Sequence, residues 1–204
     1  MYLSRLTFPL ADAEAQRLLA EPYEMHRVLM TGFPANADRV LYRVEPVTHR
    51  ETRGVVLIQS FDVPDWSAAS LPPSAAADAK EFKPEFGAGQ HLRFRLRANP
   101  TARRKIDGAA EGKRVGLTTE GDQRAWLARK AEHGGFRPDG VIVIDEGQVK
   151  AAKPGGHRLT FRSVRFEGVL EVTASDRFTE TLQAGVGTAK AFGFGLLSLA
   201  RGRL

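Results

Sequence analysis

The chain has 204 residues, of which 42% are hydrophobic and 26% are charged, and it contains no cysteine. This composition is typical of a globular protein, and the lack of cysteine excludes disulfides, thiolate catalysis, iron–sulfur clusters and cysteine-based zinc sites. The formal net charge of +6 at pH 7 favours a polyanionic partner, although many basic proteins only carry a solvated basic surface.

The sequence predicts neither a membrane protein nor a metal protein. No apolar run approaches the roughly 20 residues that a membrane span needs. The opening residues MYLSRLTFPL lack the basic stretch and long apolar region of a secretory signal. The five histidines show no metal-ligand spacing on one helix. We therefore expect a cytoplasmic protein with no membrane association, no metal site and no cofactor.

The first 60 residues predict a strand, two helices and a strand hairpin. The second helix is expected to begin at Pro22, because proline suits the first helical position. The second hairpin strand, RGVVLIQSF, is apolar enough to be a central strand. The elements are expected at residues 3–8, 11–20, 22–30, 40–46 and 53–61.

The second half predicts a strand, a helix, two further strands, a helix and a last strand. These elements are expected at residues 91–98, 119–135, 141–145, 157–173, 175–185 and 194–200, with Ser175 as the cap of the last helix. The intervening residues 62–90 have the composition of turns and linkers. We therefore expect two domains, at 1–85 and 89–204.

Together these elements predict an α+β protein with two tandem ferredoxin-like βαββαβ domains and a C-terminal glycine-rich loop. This order of elements is also that of RNA-recognition motifs. The fold hosts many unrelated functions, so it identifies none by itself.

Positive charge is concentrated between residues 91 and 130. This stretch has eleven lysines and arginines against four acidic residues, an excess of seven. Strand alternation places Arg93, Arg95 and Arg97 on the same face of residues 91–98. Three neighbouring arginines need either a polyanion or carboxylates from elsewhere in the fold, and the sequence leaves both interpretations open.

Two further segments have basic residues that could contact a polyanion. The segment TARRKIDGAAEGKR predicts a basic hairpin that either enters an RNA groove or keeps the protein in solution. Its cations are Arg103, Arg104, Lys105, Lys113 and Arg114. In residues 157–173 the apolar positions change parity, which predicts a bulge near Ser163 that redirects Arg158 and Arg162.

The C-terminal segment GVGTAKAFGFGLL has four glycines, with Lys190 between the two pairs. It matches neither a Walker P-loop nor a GxGxxG dinucleotide motif. Gly185 and Gly187 permit positive φ, so their N–H groups and Lys190 could lie against a phosphate backbone. The alternative is a tight helix-to-strand connection.

Tyr23 and His26 lie three residues apart on the predicted helix. At that spacing both side chains share a face, with Cβ atoms about 5–6 Å apart. Arg27 adds a positive charge beside them. Spacing alone favours two ordinary helical residues over a reactive pair.

Several motifs together shift this balance: MYLSRL, PYEMHRVL followed by GFP, VLIQS, FRLRANP, AWLARK, FEGVLEV and GVGTAKAFGFGLLSLA. Over its whole length the chain resembles the CasE (Cse3) family of endoribonucleases, which process CRISPR transcripts in type I-E systems. FRLRANP and the terminal glycine motif are the most specific. Thr188 departs from the family, where proline or another small residue is expected.

The resemblance implies that two ferredoxin-like domains grip the stem-loop of a CRISPR repeat and cut at its 3′ base without a metal. The product then stays bound as the protein joins other Cascade subunits, and target DNA is met only through that complex. The family's active-site tyrosine and histidine match Tyr23 and His26 in type and spacing. A non-catalytic RNA-hairpin-binding subunit of the same complex is the alternative.

In such a reaction the 2′-hydroxyl attacks the adjacent phosphate and leaves a 2′,3′-cyclic phosphate. His26, with an ordinary pKa of about 6.5, is the candidate for proton transfer as either acid or base. Tyr23 is expected to orient groups by hydrogen bonding. Arg27 is expected to stabilise charge on the phosphate. The expected RNA-binding residues are Arg27, Arg93, Arg95, Arg97, Arg103, Arg104, Lys105, Lys113, Arg114, Arg158, Arg162, Gly185, Gly187 and Lys190.

Overall fold

The computed structural model describes residues 1–104, 113–152 and 158–201, and its contacts divide the chain into two compact units. Unit 1 comprises residues 1–84 together with segments 151–159 and 190–196. Unit 2 comprises residues 85–150, 160–189 and 197 onward. The two later segments of unit 1 were not anticipated from the sequence.

Unit 1 is an antiparallel four-stranded sheet with two helices. Its strands follow the order β2-β3-β1-β4, so the first strand lies between the third and the last. The elements are β1 (Tyr2–Pro9), α1 (Ala13–Ala20), α2 (Pro22–Met30), β2 (Leu41–Val44), β3 (Arg53–Ser60) and β4 (Ala76–Glu81).

Residues 76–81 correct the prediction that the whole of 62–90 is turn and linker. The sequence AADAKE forms β4, which pairs antiparallel with β1 from Thr7↔Ala76 to Tyr2↔Glu81. Every residue of this edge strand is exposed. It therefore has no apolar alternation, and its strand conformation comes from pairing with β1.

The core of unit 1 lies between the sheet and the two helices. Leu6 and Phe8 of β1 are fully buried and pack with Met25 and Leu29 of α2 in one cluster. Asp12 begins α1 by accepting hydrogen bonds from the backbone N–H groups of the first turn. The buried stripe of α2 fixes which of its side chains face outward.

Unit 2 has the same sheet order, β10-β5-β9-β8, with a separate two-stranded hairpin. The elements are β5 (His91–Ala98), β6 (Thr101–Arg104), β7 (Lys113–Gly116), α3 (Glu120–His133), β8 (Phe136–Ala152), β9 (Arg158–Val172), α4 (Ser175–Ala184) and β10 (Leu197–Arg201). A first strand flanked by the third and last is the ferredoxin-like order, so the predicted α+β fold class is confirmed.

The core of unit 2 follows the predicted alternation of β5. Leu92, Phe94 and Leu96 are buried, and Trp126 of α3 packs against Phe166 of β9. Thr119 caps α3 by accepting a hydrogen bond from the backbone N–H of Asp122.

Three details of unit 2 differ from the prediction. Strand β8 spans Phe136–Ala152, whereas the sequence predicted a strand only at 141–145. Ser175 is the first residue of α4 rather than its cap; Ala174 precedes the helix, and no side chain of the described residues caps it. The last strand begins at Leu197 rather than at residue 194, and residues 190–192 form a 3₁₀ turn before it. Among the described residues, no helix is long and apolar enough to cross a membrane.

Candidate active site and nucleic-acid interface

Helix α2 presents Tyr23 and His26 at the edge of its buried face. Pro22 occupies the first turn, and the helix continues to Met30. Met25 is fully buried in the core, whereas Tyr23 and His26 are half-buried. Packing of Met25 thus fixes the helix in place, while part of the Tyr23 and His26 side chains remains accessible.

The His26 ring lies in a partly desolvated position beside Tyr42 of β2. The two rings stack with centroids 6.3 Å apart and an interplanar angle of 13°. Burial lowers the pKa of His26 below its ordinary value of 6.5. Its Nδ1 is buried and has no hydrogen-bond partner among the described residues. The imidazole is therefore mostly neutral at pH 7.

Tyr42 was not predicted from the sequence as part of the site. It is 1% exposed, and its hydroxyl donates a hydrogen bond of 2.7 Å to the backbone oxygen of Pro22. Tyr42 thus fixes the start of α2 and supports the His26 ring. A tyrosine within a predicted strand gives no signal of such a role.

The C-terminal glycine segment packs against this support. Helix α2 and strand β2 both contact the 3₁₀ turn Lys190–Phe192, which Lys190 begins. Gly193 has φ +81°, and a Cβ there would lie 3.2 Å from the Tyr42 ring. Arg43, which is buried, donates a hydrogen bond to the backbone oxygen of Leu196. Residues 190–196 therefore brace the helix that has the Tyr–His pair.

Arg27 is exposed next to His26 but is already in an ion pair. Its guanidinium lies 2.8 Å from the Glu24 carboxylate on the same helix. Pairs of opposite charge three or four positions apart on a helix contribute only about 0.2–0.5 kcal/mol. Arg27 can therefore exchange Glu24 for a phosphate at little cost.

The three strand arginines of β5 do not behave alike. Arg95 lies 2.8 Å from Glu167, and Arg97 lies 2.7 Å from Glu146. Arg93 is exposed and has no ion pair among the described residues. Of the two interpretations of this face, carboxylate pairing applies to Arg95 and Arg97, whereas Arg93 remains available to a polyanion.

The arginines of β9 also divide between paired and exposed. Arg162 pairs with Asp145, and its backbone N–H donates to the Asn99 side chain. Arg158 is exposed at the start of the strand. Ser163 and Val164 are consecutive residues that are both buried, which is the parity change seen in the sequence.

Strands β6 and β7 place like charges directly opposite one another, and we call them the basic hairpin. Arg103 faces Arg114, and Arg104 faces Lys113. All four are exposed and have no ion pair within the described part of the chain; Lys105 lies outside the described residues. Like charges at facing positions destabilise a hairpin, so this arrangement is suited to an anionic partner.

The first half of the glycine segment belongs to unit 2. Gly185 ends α4 with φ +73°, and Gly187 has φ +85°. A Cβ on Gly187 would lie 2.9 Å from Trp126 Cζ2, so only glycine fits there without displacement. Ala189 also has positive φ, at 62°, which is strained for a residue with a side chain.

Comparison with known proteins places the whole chain in one family. A model of the family described as CRISPR associated protein matches residues 1–201. The CRISPR-associated endoribonuclease Cse3 of Thermus thermophilus is 42% identical, with 98% of this chain and 100% of the relative covered. The Cascade subunit CasE of Escherichia coli is 32% identical, with 98% and 99% covered.

Solved structures agree with the sequence comparison. Thermus thermophilus Cse3 bound to an RNA that represents a pre-cleavage complex superposes with a TM-score of 0.86 at 41% identity, covering 98% of both chains. Escherichia coli Cas6e superposes with a TM-score of 0.74 at 31% identity, covering 98% of this chain and 100% of that one. The chain therefore belongs to the CRISPR-associated CasE (Cse3) family.

Proposed function

We propose that this protein is a cytoplasmic, metal-independent endoribonuclease that binds the stem-loop of a CRISPR repeat and cleaves at its 3′ base. The relatives support the endoribonuclease activity, since one is named an endoribonuclease and was solved with RNA in a pre-cleavage complex. The other is named a Cascade subunit. We propose accordingly that the cleaved RNA stays bound to this protein as it joins Cascade. The protein then encounters target DNA only within that complex.

The single observation that carries the catalytic part is the environment of His26. Burial keeps its imidazole neutral at pH 7, and Tyr23 lies one turn away on the same exposed edge of α2. A neutral imidazole can accept a proton, which an imidazolium cannot.

In the proposed reaction the RNA supplies its own nucleophile. The 2′-hydroxyl gives its proton to His26 as its oxygen attacks the adjacent phosphorus in line. The bond from phosphorus to the 5′-oxygen then breaks, and that oxygen takes up a proton from water, which leaves a 2′,3′-cyclic phosphate on one product and a 5′-hydroxyl on the other. Tyr23 donates a hydrogen bond that orients the phosphate, and Arg27 stabilises its developing charge.

The basic hairpin supports the binding part of the proposal. Its two facing pairs of like charge are relieved when an RNA backbone neutralises them. A-form RNA is recognised mainly through its shape and phosphates. Arg93 and Arg158, both exposed, are further candidates for phosphate contacts, and we propose the same for Gly185, Gly187 and Lys190.

The decisive experiment follows cleavage of the cognate repeat hairpin in EDTA, beside the same RNA with a 2′-deoxy group at the cleavage position. We expect cleavage of the first RNA only. His26→Ala should slow it by about 10²–10⁴-fold, the usual contribution of general acid–base catalysis. His49→Ala, which removes an exposed histidine of unit 1, is the matched control and should cleave like the wild type.

Tight binding without cleavage of either RNA would instead identify a non-catalytic hairpin-binding subunit. Cleavage that EDTA abolishes would show that the reaction needs a metal. Equal cleavage of both RNAs would exclude attack by the 2′-hydroxyl, since the deoxy substrate lacks that group.

A further inference from the structure

Residues 190–196 belong to unit 1, where they contact the helix of the Tyr–His pair and the strand that contains Tyr42. The 3₁₀ turn Lys190–Phe192 packs against both of these elements. The residues that follow the turn, from Gly193 to Leu196, are all buried. Because buried residues are not accessible to an RNA backbone, this part of the glycine segment has a role inside unit 1.

Gly193 allows the segment to approach Tyr42 closely. Its φ of +81° lies in the left-handed region that favours glycine, and its N–H donates a hydrogen bond of 3.3 Å to the backbone oxygen of Lys190. A Cβ at this position would lie 3.2 Å from Tyr42 Cε2 and 3.5 Å from Cζ. The position of the Tyr42 ring therefore depends on the lack of a side chain at residue 193.

Tyr42 connects this segment to the helix and to His26. Its hydroxyl donates a hydrogen bond of 2.7 Å to the backbone oxygen of Pro22, and the backbone oxygen of Ala191 lies 3.4 Å from the same hydroxyl. Its ring stacks on the His26 imidazole. One side chain thus contacts the turn, the first residue of α2 and the imidazole, so a displacement of the turn reaches His26 through Tyr42.

Arg43, the next residue of β2, holds the other end of the segment. Its guanidinium is 2% exposed and donates hydrogen bonds to the Glu45 carboxylate, at 2.7 Å, and to the backbone oxygen of Leu196, at 3.2 Å. Breaking a buried pair of this kind leaves an uncompensated charge, which is strongly unfavourable. Residues 190–196 are therefore attached both at the turn and at Leu196.

We infer that Tyr42 and Gly193 are positioning residues for RNA cleavage, which fix the His26 imidazole without contacting the substrate. The inference rests on the proposed function, because His26 is the group that moves the proton there. It assigns residues 193–196 to the rate of cleavage, whereas the sequence predicted only a phosphate-contacting loop or a helix-to-strand connection. A misplacement of about 1 Å at a reacting group lowers a rate by up to about 10²-fold, so a small shift of this support is measurable.

The test separates cleavage from binding. Single-turnover cleavage of the cognate repeat hairpin by saturating protein gives the rate, and the same hairpin with a 2′-deoxy group at the cleavage position gives the affinity. Gly193→Ala should slow cleavage by about tenfold, because the new methyl group displaces the Tyr42 ring. The affinity of this variant for the 2′-deoxy hairpin should stay close to that of the wild type.

Gly89→Ala is the matched control for backbone strain. Gly89 has a φ of +82°, but in the described structure no atom beyond its chain neighbours lies within 4 Å of its Cβ position. Both substitutions therefore place alanine in the left-handed region, and only Gly193→Ala meets Tyr42. Gly89→Ala should cleave and bind like the wild type, and equal slowing by the two substitutions would overturn the inference.

Two substitutions of Tyr42 separate its ring from its hydroxyl. Tyr42→Phe keeps the ring beside His26 but loses the hydrogen bond to Pro22, and it should slow cleavage by about three- to tenfold. Tyr42→Leu also removes the ring and should slow cleavage by about 10²-fold. Tyr2→Phe, which removes a tyrosine hydroxyl from β1 of the same unit, should match the wild type.

Retained affinity for the 2′-deoxy hairpin shows that a variant is folded. Tyr42→Phe and Gly193→Ala are the smaller changes, so they decide the test if Tyr42→Leu does not fold. If these two variants lost affinity and rate in proportion, Tyr42 and Gly193 would have a structural role only, and the inference would be overturned.

The outcomes separate this inference from the proposed function. If the wild type cleaves the hairpin and both Gly193→Ala and Tyr42→Phe cleave at its rate, only this inference fails. If the wild type binds the hairpin but does not cleave it, the proposed function fails and this inference fails with it. Slower cleavage at unchanged affinity in both variants supports the two together.

Discussion

His26 is held in place by stacking of its ring, and no hydrogen bond reaches its Nδ1 from the residues that the structure describes. Tyr42 stacks on the imidazole while its hydroxyl bonds to Pro22 at the start of the same helix. The support and the helix therefore move together. Such positioning fixes the ring without adding a carboxylate, which would raise the imidazole pKa by favouring the charged form.

This environment predicts the pH dependence of cleavage. Burial lowers the pKa of His26, so a base role requires the neutral form, which predominates at pH 7 and is lost only at lower pH. Single-turnover cleavage measured from about pH 5 to pH 8 should be flat near neutrality. It should fall on the acid side, with its midpoint below 6.5.

His49→Ala should leave the fall in cleavage rate at low pH unchanged, since that exposed histidine is not part of the site. A cleavage rate that rises as the pH falls through the same range would contradict the base role. It would assign His26 to protonation of the leaving 5′-oxygen instead.

At the residue scale, the sequence predicted which side chains share a face but not what they contact. Alternation placed Arg95 and Arg97 together. Their partners, Glu167 and Glu146, lie 72 and 49 positions away along the chain. Tyr42 was missed for the same reason, because ring stacking depends on packing between elements.

At the element scale, the facing like charges of the basic hairpin lower its own stability. Lys113→Glu would place a carboxylate opposite Arg104 and convert one repulsive pair into an attractive one. We expect the β6–β7 amides to be better protected from hydrogen exchange, because facing opposite charges contribute about 0.2–1 kcal/mol. RNA affinity should nevertheless fall.

Lys80→Glu provides the control for the change in net charge. Lys80 is an exposed cation of β4 in unit 1 and lies outside the proposed interface. Lys80→Glu should leave the hydrogen-exchange protection of the β6–β7 amides unchanged, and it should affect RNA binding less than Lys113→Glu. If both variants weakened binding equally, net charge rather than the hairpin would determine affinity.

The glycine segment is an element whose conformation excludes side chains. Gly187→Ala should destabilise unit 2, because the new Cβ would approach Trp126 within 2.9 Å at a φ of +85°. We expect a loss of about 1–3 kcal/mol in denaturant unfolding. Gly121→Ala is the control: this glycine lies in α3 with no atom near its Cβ position, and the change should stabilise the helix slightly. Equal effects of the two substitutions would contradict this account.

Elements were predicted well where their own sequence determines them. Apolar alternation identified β5, and Pro22 identified the start of α2. Strand β4 was missed because all of its side chains are exposed and its pairing with β1 supplies the structure. The sequence predicted a loop or a helix-to-strand connection where the 3₁₀ turn supports Tyr42, since three residues give no periodic pattern.

At the scale of the whole molecule, the two units can be followed separately because each contains one tryptophan. Trp66 lies in unit 1, where its Nε1 donates to Ser4, and Trp126 lies in the core of unit 2. Trp66→Phe therefore leaves a fluorescence probe of unit 2 alone. Unfolding of the intact chain can then be assigned to one unit without dividing the protein.

That probe tests the acid stability of unit 2. Burial alone would raise the pKa of Glu146, but the charge of Arg97, the Ser163 hydroxyl and the charge of Arg165 outweigh burial and lower it below its ordinary 4.5. The unfolded chain then binds this proton more readily than the folded one. The stabilisation is therefore complete above about pH 4.5 and is lost as the pH falls through the lower folded value.

Glu146→Gln should make this contribution visible in the Trp66→Phe background. We expect unit 2 to lose about 1–3 kcal/mol at neutral pH, because Arg97 loses a charged hydrogen-bond partner and Arg165 loses an ion-pair partner. Its stability should also fall less steeply in acid than that of the parent. Glu132→Gln, which removes an exposed carboxylate of α3 with no ion pair among the described residues, should reproduce the parent's curve. If Glu146→Gln and its parent lost stability in parallel below pH 4.5, another carboxylate would determine the acid stability of this unit.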